Sequence, residues 1–103
     1  MRMPCAFAIG SRMKKMEITQ RLSALAQPTR LDIFLTIAKH DAGLSATQIA
    51  EEAGALRTNT SVHLTVLRNA GLLTSTKSGR TVTYKVEREA VRSLARFLSR
   101  AAG

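Results

Sequence analysis

The chain has 103 residues, 45% of them hydrophobic but only 4% aromatic, which is enough for one domain with a modest aliphatic core. Lys and Arg outnumber Asp and Glu by 16 to 7, and a formal charge of +9 on so small a domain favours a polyanionic partner, most commonly nucleic acid. No apolar run approaches the roughly 18 residues of a membrane helix, and the single cysteine excludes an intramolecular disulfide and a cysteine zinc cluster within one chain.

Residues 1–15 show no clear periodicity, and we predict a flexible or additional N-terminal arm there. A short apolar stretch lies in this arm, but basic residues follow where a signal peptide would have its cleavage site, so we expect a cytoplasmic protein. Cys5 lies in the same stretch. It is either an inert thiol or, shared between two protomers, a candidate site for a metal-, metalloid- or redox-responsive sensor.

Two helices are predicted after the arm. Residues 16–27 carry apolar side chains at helical spacing and indicate a short amphipathic helix. Pro28 suits the first position of the second helix, because an amide there has no intrahelical partner to lose. This second helix, residues 28–39, is apolar around much of its girth, so we expect it to be the buried central helix, with Arg30 and Asp32 at the surface.

A helix-turn-helix is predicted next. Ser45 is placed to cap a helix over residues 46–53, with Gln48 at capping-box spacing and Gly54 at its end. After a three-residue turn, a second helix runs from Thr58 to Ala70. In such a motif the second helix can enter the major groove of DNA, and we call it the recognition helix.

The recognition helix has one apolar side and one side of short polar side chains. Leu64 and Leu67 are predicted to anchor it in the core, and His63 beside them is predicted to be a partly buried, hydrogen-bonded histidine rather than a metal ligand. Short polar groups on the other side can reach phosphates and base edges, and the methyl groups of Val62 and Thr65 can contact a thymine methyl.

Two short strands flank a glycine after the recognition helix, a pattern that predicts a β-hairpin. The strands span residues 72–77 and 81–86, around a loop of Ser78, Gly79 and Arg80. Arg80, at the tip, is suited to reach a phosphate or the narrow minor groove. The hairpin would therefore form a basic wing beside the recognition helix.

The helix-turn-helix and the wing share one charge pattern. No Asp or Glu occurs between Ala53 and Val86, whereas the same stretch contains several Lys and Arg residues. An ordinary solvated face mixes the two signs, so the pattern favours DNA binding. The candidate DNA-binding residues are Arg57, Thr58, Asn59, Ser61, Val62, Thr65, Arg68, Lys77 and Arg80.

A final helix is predicted over residues 87–101. Val91, Leu94, Ala95 and Leu98 lie on one stripe, and arginines at four-residue spacing form a row that we interpret as a solvated face. Because the apolar stripe follows a complete small fold, we expect it to pair with a second copy of the chain.

Together these elements predict a mainly α fold with a small β-hairpin (α+β class). We expect a winged helix-turn-helix of about five helices and a two-stranded wing, over residues 16–101. The spacing suggests neither a nucleophile with its base and orienting acid nor a glycine-rich phosphate loop, so we expect no enzymatic activity and no cofactor. The expected partners are double-stranded DNA and a second copy of the chain, with no membrane.

Four segments resemble the ArsR/SmtB family of bacterial winged-helix repressors. Residues 24–33 are similar to the family opening ALA-x-PTR-L-x-I, residues 45–54 to its S-x-x-(E/Q)-I-A-x-x-x-G helix, residues 61–73 to S-x-H-L-x-x-L-R-x-A-G-L-(V/L), and residues 78–84 to x-G-R-x-x-x-Y. The resemblance covers roughly residues 22–98. It implies a homodimer packed through its first and last helices, which binds an inverted-repeat operator, represses transcription and is usually released from DNA by a ligand.

The ligand sites of that family are not matched. Its metal sensors often carry a Cys-x-Cys-type motif in the helix before the recognition helix, and residues 44–51 contain no cysteine. Other members use ligands of the last helix, which here has Glu87 and Glu89 but no histidine, and residues 99–103 lack the cysteine pair that closes some members. The known ligand sets therefore do not carry over, and Thr60, where many members have an apolar residue, leaves the local packing open.

Overall fold

The computed structural model describes residues 14–103 except for the side chain of Arg57, so Cys5 and most of the predicted arm lie outside the described residues. Within residues 14–103 the chain forms five helices and three strands. They are α1 (Lys15–Leu25), α2 (Pro28–Ala38), β1 (Leu44–Ser45), α3 (Ala46–Ala53), α4 (Arg57–Asn69), β2 (Leu73–Ser78), β3 (Thr81–Val86) and α5 (Arg88–Ala102). The predicted mainly helical winged architecture is confirmed, with α4 as the recognition helix. No helix in this part of the chain is long and apolar enough to cross a membrane.

Local sequence signals fix the start of α3 and α2. The N–H of Gln48 donates to Ser45 Oγ over 3.3 Å while the N–H of Ser45 donates to Gln48 Oε1 over 2.9 Å, so the predicted capping box is present. α2 begins at Pro28, where Gln27 Oε1 accepts from the N–H of Arg30 at 2.7 Å. The other helices differ from their predicted ranges by one or two residues at their ends, where helices fray.

The sheet has three strands, because the predicted two-stranded wing of β2 and β3 is joined by β1, which was not predicted from the sequence. β1 pairs antiparallel with β3, Leu44 opposite Tyr84 and Ser45 opposite Thr83, so the strand order is β1-β3-β2. Gly43 makes this approach possible. Its φ is +85°, and an added Cβ would lie 2.6 Å from the backbone oxygen of Tyr84. A strand of two residues has no alternating pattern for the sequence to display.

The wing is tighter than predicted. Ser78 pairs with Thr81, so the loop contains only Gly79 and Arg80 instead of three residues, and β2 begins one residue later than expected. Gly79 has a φ of +61°, which suits the first position of a two-residue hairpin turn. Arg80 is thereby fixed at the end of two paired strands rather than on a loose loop.

One aliphatic core joins α2, α3, α4 and the sheet. Its most completely buried apolar side chains are Ile33, Ile37, Ile49, Leu64, Leu67 and Leu72. The two predicted anchors of the recognition helix, Leu64 and Leu67, are among them. Thr60 is also fully buried, and its Oγ1 donates to the carbonyl of Leu56 over 2.9 Å. The hydroxyl is therefore satisfied within its own helix, which explains how a polar residue fits this position.

α2 is less completely buried than predicted. Ile33, Phe34 and Ile37 face the core, but Leu31 and Leu35 point outward, and Leu35 is 49% exposed. Arg30, expected at the surface, is instead half-buried. A helix contacting other elements on one side buries only that side, so a broad apolar girth does not imply burial all round.

α5 packs on α1 through a second, smaller cluster. Leu94 and Ile18 are buried against each other, with Leu25 and Phe97 at the edge. The predicted stripe is therefore divided, because Leu94 is buried whereas Leu98 is 46% exposed.

The arginine row of α5 is not simply solvated. Arg88 donates to Asp41 and to the carbonyl of Ala38 at 3.0 and 3.1 Å, and Arg96 donates to Glu89 at 2.7 Å. The carboxyl of Glu89 accordingly has a lowered pKa, chiefly because of the hydrogen bond from Arg96.

Candidate nucleic-acid interface

The outer face of the recognition helix presents the predicted contact residues to solvent. The exposed side chains on this face are Thr58, Asn59, Ser61, Val62, Thr65 and Arg68. Val62 is 62% exposed although it is apolar. Its methyl groups stand among short polar side chains on the side opposite the core, an arrangement that can contact a thymine methyl in the major groove. Arg57 begins the helix, but its side chain is outside the description.

Thr65 is more constrained than the sequence indicates. Its Oγ1 donates to the carbonyl of Ser61 one turn earlier, over 3.0 Å. The hydroxyl proton is therefore used within the helix, and Thr65 offers outward a methyl group and an acceptor oxygen. In this conformation the residue is suited to a base donor or a thymine methyl rather than to a phosphate oxygen.

The first turn of α4 is open to an anion. Leu56 occupies the N-cap position and provides no side-chain acceptor for the first backbone amides. Such amides, together with the helix dipole, attract negative groups. The contrast with α3 is informative, because there Ser45 and Gln48 supply the cap. The recognition helix thus begins with donors that a phosphate can satisfy.

A cleft of about 340 Å³ separates the recognition helix from the wing. It is lined by Ser45, Ala46, Thr47, Ser61, Arg80, Thr81, Val82 and Tyr84. Hydroxyl groups and one guanidinium dominate this lining. The cleft brings together two predicted residues, Ser61 from the helix and Arg80 from the wing tip, and has the chemistry to receive a phosphate.

The other candidates lie outside the cleft. Lys77 is exposed on β2, opposite Val82, while Thr58, Asn59, Val62, Thr65 and Arg68 remain on the open helix face. The candidate interface therefore has two parts, a helix face with little charge and a basic edge on the wing.

The cations of this surface whose side chains the structure describes form no ion pair with the protein. Among the described residues, ion pairs join Arg88 to Asp41 and Arg92 and Arg96 to Glu89, and His40 contacts Glu52 at 3.0 Å. None of them uses Arg68, Lys77, Arg80 or Lys85. The acids in these contacts, Asp41, Glu52 and Glu89, lie outside the recognition helix and wing, whose described cations therefore contribute an uncompensated positive field.

His63 links the recognition helix to α2. It is half-buried, and its Nδ1 accepts from Arg30 Nε at 3.4 Å, as the prediction of a hydrogen-bonded histidine requires. Burial lowers the pKa of His63, and the nearby positive charge of Arg30 lowers it further. The imidazole is therefore held neutral, as an acceptor for the Arg30 donor.

No clustered ligand set accompanies this surface. Among residues 14–103, no group of three or more His, Cys, Asp or Glu side chains lies close enough together to hold a metal ion. Cys5, the sequence-derived candidate for such a role, is outside the described residues.

Sequence reasoning missed the contribution of α3 and β3 to the cleft. The sequence predicts Ser45 only as a helix cap, and Thr47, Thr81 and Tyr84 are not among the predicted contact residues. The concentration of hydroxyl side chains just before α3 and after the wing tip is a signal in the sequence. Its meaning depends on the β1–β3 pairing, which brings these residues to one place.

Comparisons with known proteins agree with this geometry. A family profile described as a helix-turn-helix domain matches residues 25–76. Over 70 residues the chain is 36% identical to the HTH-type transcriptional regulator KmtR of Mycobacterium tuberculosis, covering 68% of this chain and 52% of that protein. The chain thus spans about half the length of the curated relatives it matches.

Solved structures show the same fold. An ArsR-like transcriptional regulator from Rhodococcus sp. RHA1 superposes with a TM-score of 0.76 at 29% identity, covering 84% of this chain and 80% of that one. A homodimeric winged helix-turn-helix DNA-binding domain from Mycobacterium bovis superposes with a TM-score of 0.68 at 22% identity, covering 97% of this chain and 88% of that one. With the profile match, the sequence motifs and the winged architecture, these similarities identify the chain as a member of the ArsR/SmtB family of winged helix-turn-helix transcriptional regulators.

Proposed function

We propose that the protein is a sequence-specific, double-stranded DNA-binding repressor that acts as a homodimer on an inverted-repeat operator. The main support for this proposal is that the recognition helix and the wing, on either side of the cleft, contain no acidic residues, and their described cations make no ion pair with the protein. A polyanion that fits a helix and a β-hairpin side by side is the DNA duplex. The protein would act without chemistry of its own.

The two parts of the surface take different roles in this proposal. The outer face of α4 lies in the major groove, where Ser61, Val62 and Thr65 meet base edges. Arg80 and Lys77 on the wing contact the DNA backbone or the adjacent minor groove. The hydroxyl-lined cleft between the recognition helix and the wing receives a phosphate. The open first turn of α4 offers backbone amides to a second phosphate.

The dimer is proposed to form through α1 and α5. Both helices carry large apolar side chains that the single chain leaves exposed, namely Met16 and Leu22 on α1 and Leu98 on α5. The neighbour from Mycobacterium bovis is a homodimer, which supports the formation of a dimer here. Two recognition helices related by a twofold axis would read an inverted repeat whose half-site centres are about one helical turn, roughly 10 base pairs, apart.

We expect this activity in the cytoplasm, because the protein needs access to chromosomal DNA.

Selection of bound duplexes from a random-sequence pool tests the proposal. We expect an enriched inverted repeat with the predicted spacing and an affinity at least about a thousandfold above that for a scrambled duplex of equal length, the lower end for specific regulators. A reporter gene placed behind the selected sequence should be expressed less when the protein is present. Failure to enrich any sequence, with equal affinity for selected and scrambled duplexes, would contradict the proposal.

A further inference from the structure

The carbonyl groups at the C-terminal end of the recognition helix accept hydrogen bonds from residues outside the helix. The N–H of Leu72 donates to the carbonyl of Leu67 and the N–H of Gly71 to that of Arg68, each over 3.0 Å, which is the Schellman pattern. The carbonyl of Val66 accepts from the N–H of Ala70, also at 3.0 Å. This leaves the carbonyls of Asn69 and Ala70 without a backbone donor in the described part of the chain.

Two neighbouring side chains of α1 supply the missing donors. Arg21 Nε donates to the carbonyl of Ala70 over 3.0 Å, and Gln20 Nε2 donates to that of Asn69 over 3.3 Å. Both contacts join residues 49 positions apart in the chain. The Arg21 contact is partly buried and charged, so it is the stronger one, and its cation also lies at the negative end of the helix dipole.

Gly71 lies close beside this guanidinium. Its φ is +81°, and an added Cβ would lie 2.9 Å from Nη2 of Arg21. The left-handed backbone favours a glycine at the end of the recognition helix. The end of the Arg21 side chain therefore packs directly against the turn that follows α4.

A second contact joins the same two helices further along. Arg30 donates to the carbonyl of Ala24 near the end of α1 and to Nδ1 of His63 in the middle of α4, each at 3.4 Å. Ala24 itself is buried in the core. The recognition helix is thus held relative to α1 at two points, His63 and Ala70. Two separated contacts fix the direction of the helix axis.

We propose that Arg21 is a positioning residue for DNA recognition. By donating from α1 to the carbonyl of Ala70, the C-cap residue of α4, it fixes the angle between the recognition helix and a helix of the dimer contact. The distance and direction between the two recognition helices of a dimer would then depend on Arg21, and so would the half-site spacing that the dimer accepts. This inference rests on the proposed function, because it requires a dimer that binds two half-sites.

The test measures affinity for the selected inverted repeat and for duplexes whose half-sites are moved apart or together by one base pair, about 3.4 Å along the axis. The full chain is compared with Arg21→Ala, Arg21→Lys and Arg88→Ala. For the unaltered chain we expect affinity to fall at least about tenfold when the spacing is changed, a loss comparable to losing one good contact. We call this loss of affinity the spacing penalty.

In Arg21→Ala the spacing penalty should fall to about twofold or less, while the base preference within each half-site persists because the outer face of α4 is unchanged. Arg21→Lys retains a cationic donor and should keep most of the penalty. Arg88→Ala is the matched control, since it also removes an arginine donor to a helix-terminal carbonyl, that of Ala38. It should lower the melting temperature to a similar extent and leave the spacing penalty intact.

A full spacing penalty in folded Arg21→Ala, or its loss in Arg88→Ala as well, would overturn this inference and leave the proposed function standing. An unaltered chain that binds all spacings and all sequences equally would overturn both. The melting temperature of each variant, measured alongside, separates loss of positioning from loss of fold.

Discussion

Arg80 and the side chains of the recognition helix are exposed residues of the same surface, yet they differ in what they can distinguish. Arg80 lies at a two-residue hairpin turn and lines the cleft with Ser61, where a phosphate is within reach. Phosphates are the same in every sequence, so contacts to them position the protein without selecting bases. Ser61, Val62 and Thr65 project from a helix, where base edges in the major groove come within reach.

Arg80→Ala should therefore weaken binding to all duplexes by a similar factor and reduce the salt slope of binding by about 1. Ser61→Ala or Thr65→Ala should instead change the ranking of operator variants. Titration of a panel of single-base variants by fluorescence anisotropy measures both effects. Arg100→Ala, which removes the same charge from the far end of α5, controls for overall charge. If changing Arg80 affected binding to only one sequence, these roles would be assigned wrongly.

His63 gives the fold a defined pH dependence. Its pKa is lowered from an ordinary value of 6.5 by burial and then by Arg30, so the unfolded chain binds the proton more readily than the folded chain. This contribution to stability is complete above pH 6.5 and declines as the pH falls from there through the lowered pKa.

Denaturant unfolding at pH 7.5 and 5.5 should show this decline in a His40→Gln background, in which His63 is the only histidine left. Adding His63→Gln should make the two free energies of unfolding more nearly equal. An undiminished difference in the double variant would assign the pH dependence to other groups.

Capping residues determine how well the individual helices are predicted from the sequence. Both ends of α3 carry recognisable signals, Ser45 with Gln48 at the start and Gly54 at the end, and α3 occupies the predicted residues. β1 could not be found in the same way, because two residues carry no period and their pairing partner lies about 40 positions later in the chain. The cleft depends on that pairing, so its α3 and β3 members were missed for the same reason.

Ser45→Ala should lower the free energy of unfolding by about 1 kcal/mol, because it removes the acceptor for the N–H of Gln48. Ser45→Thr, which keeps a capping hydroxyl, is the matched control and should retain most of the stability. Chemical denaturation of the three proteins, with unchanged m-values, measures the difference. Equal destabilisation by both substitutions would assign the effect to the strand or the cleft rather than to the cap.

The sequence predicts the acid-free surface of the whole molecule, but it does not predict the contacts that hold the recognition helix in place. The absence of acids from Ala53 to Val86 is visible in the sequence and needs no structure. The contacts that hold the recognition helix in place come from α1 and α2, through Arg21 and Arg30, and join residues 33 to 49 positions apart. Such pairs leave no periodic signal in one sequence. The same reason explains why Arg30 was expected at the surface.

The proposed function requires that this acid-free surface binds DNA through contacts to phosphates. The most direct test is the affinity of the unaltered chain for its selected duplex as salt is raised from 50 to 200 mM. We expect log K to fall linearly with log salt, with a slope of about −0.9 for each phosphate contacted, and the affinity to fall about a thousandfold or more if a dimer contacts six or more phosphates. An affinity that is unchanged over this range would contradict DNA binding through phosphate contacts.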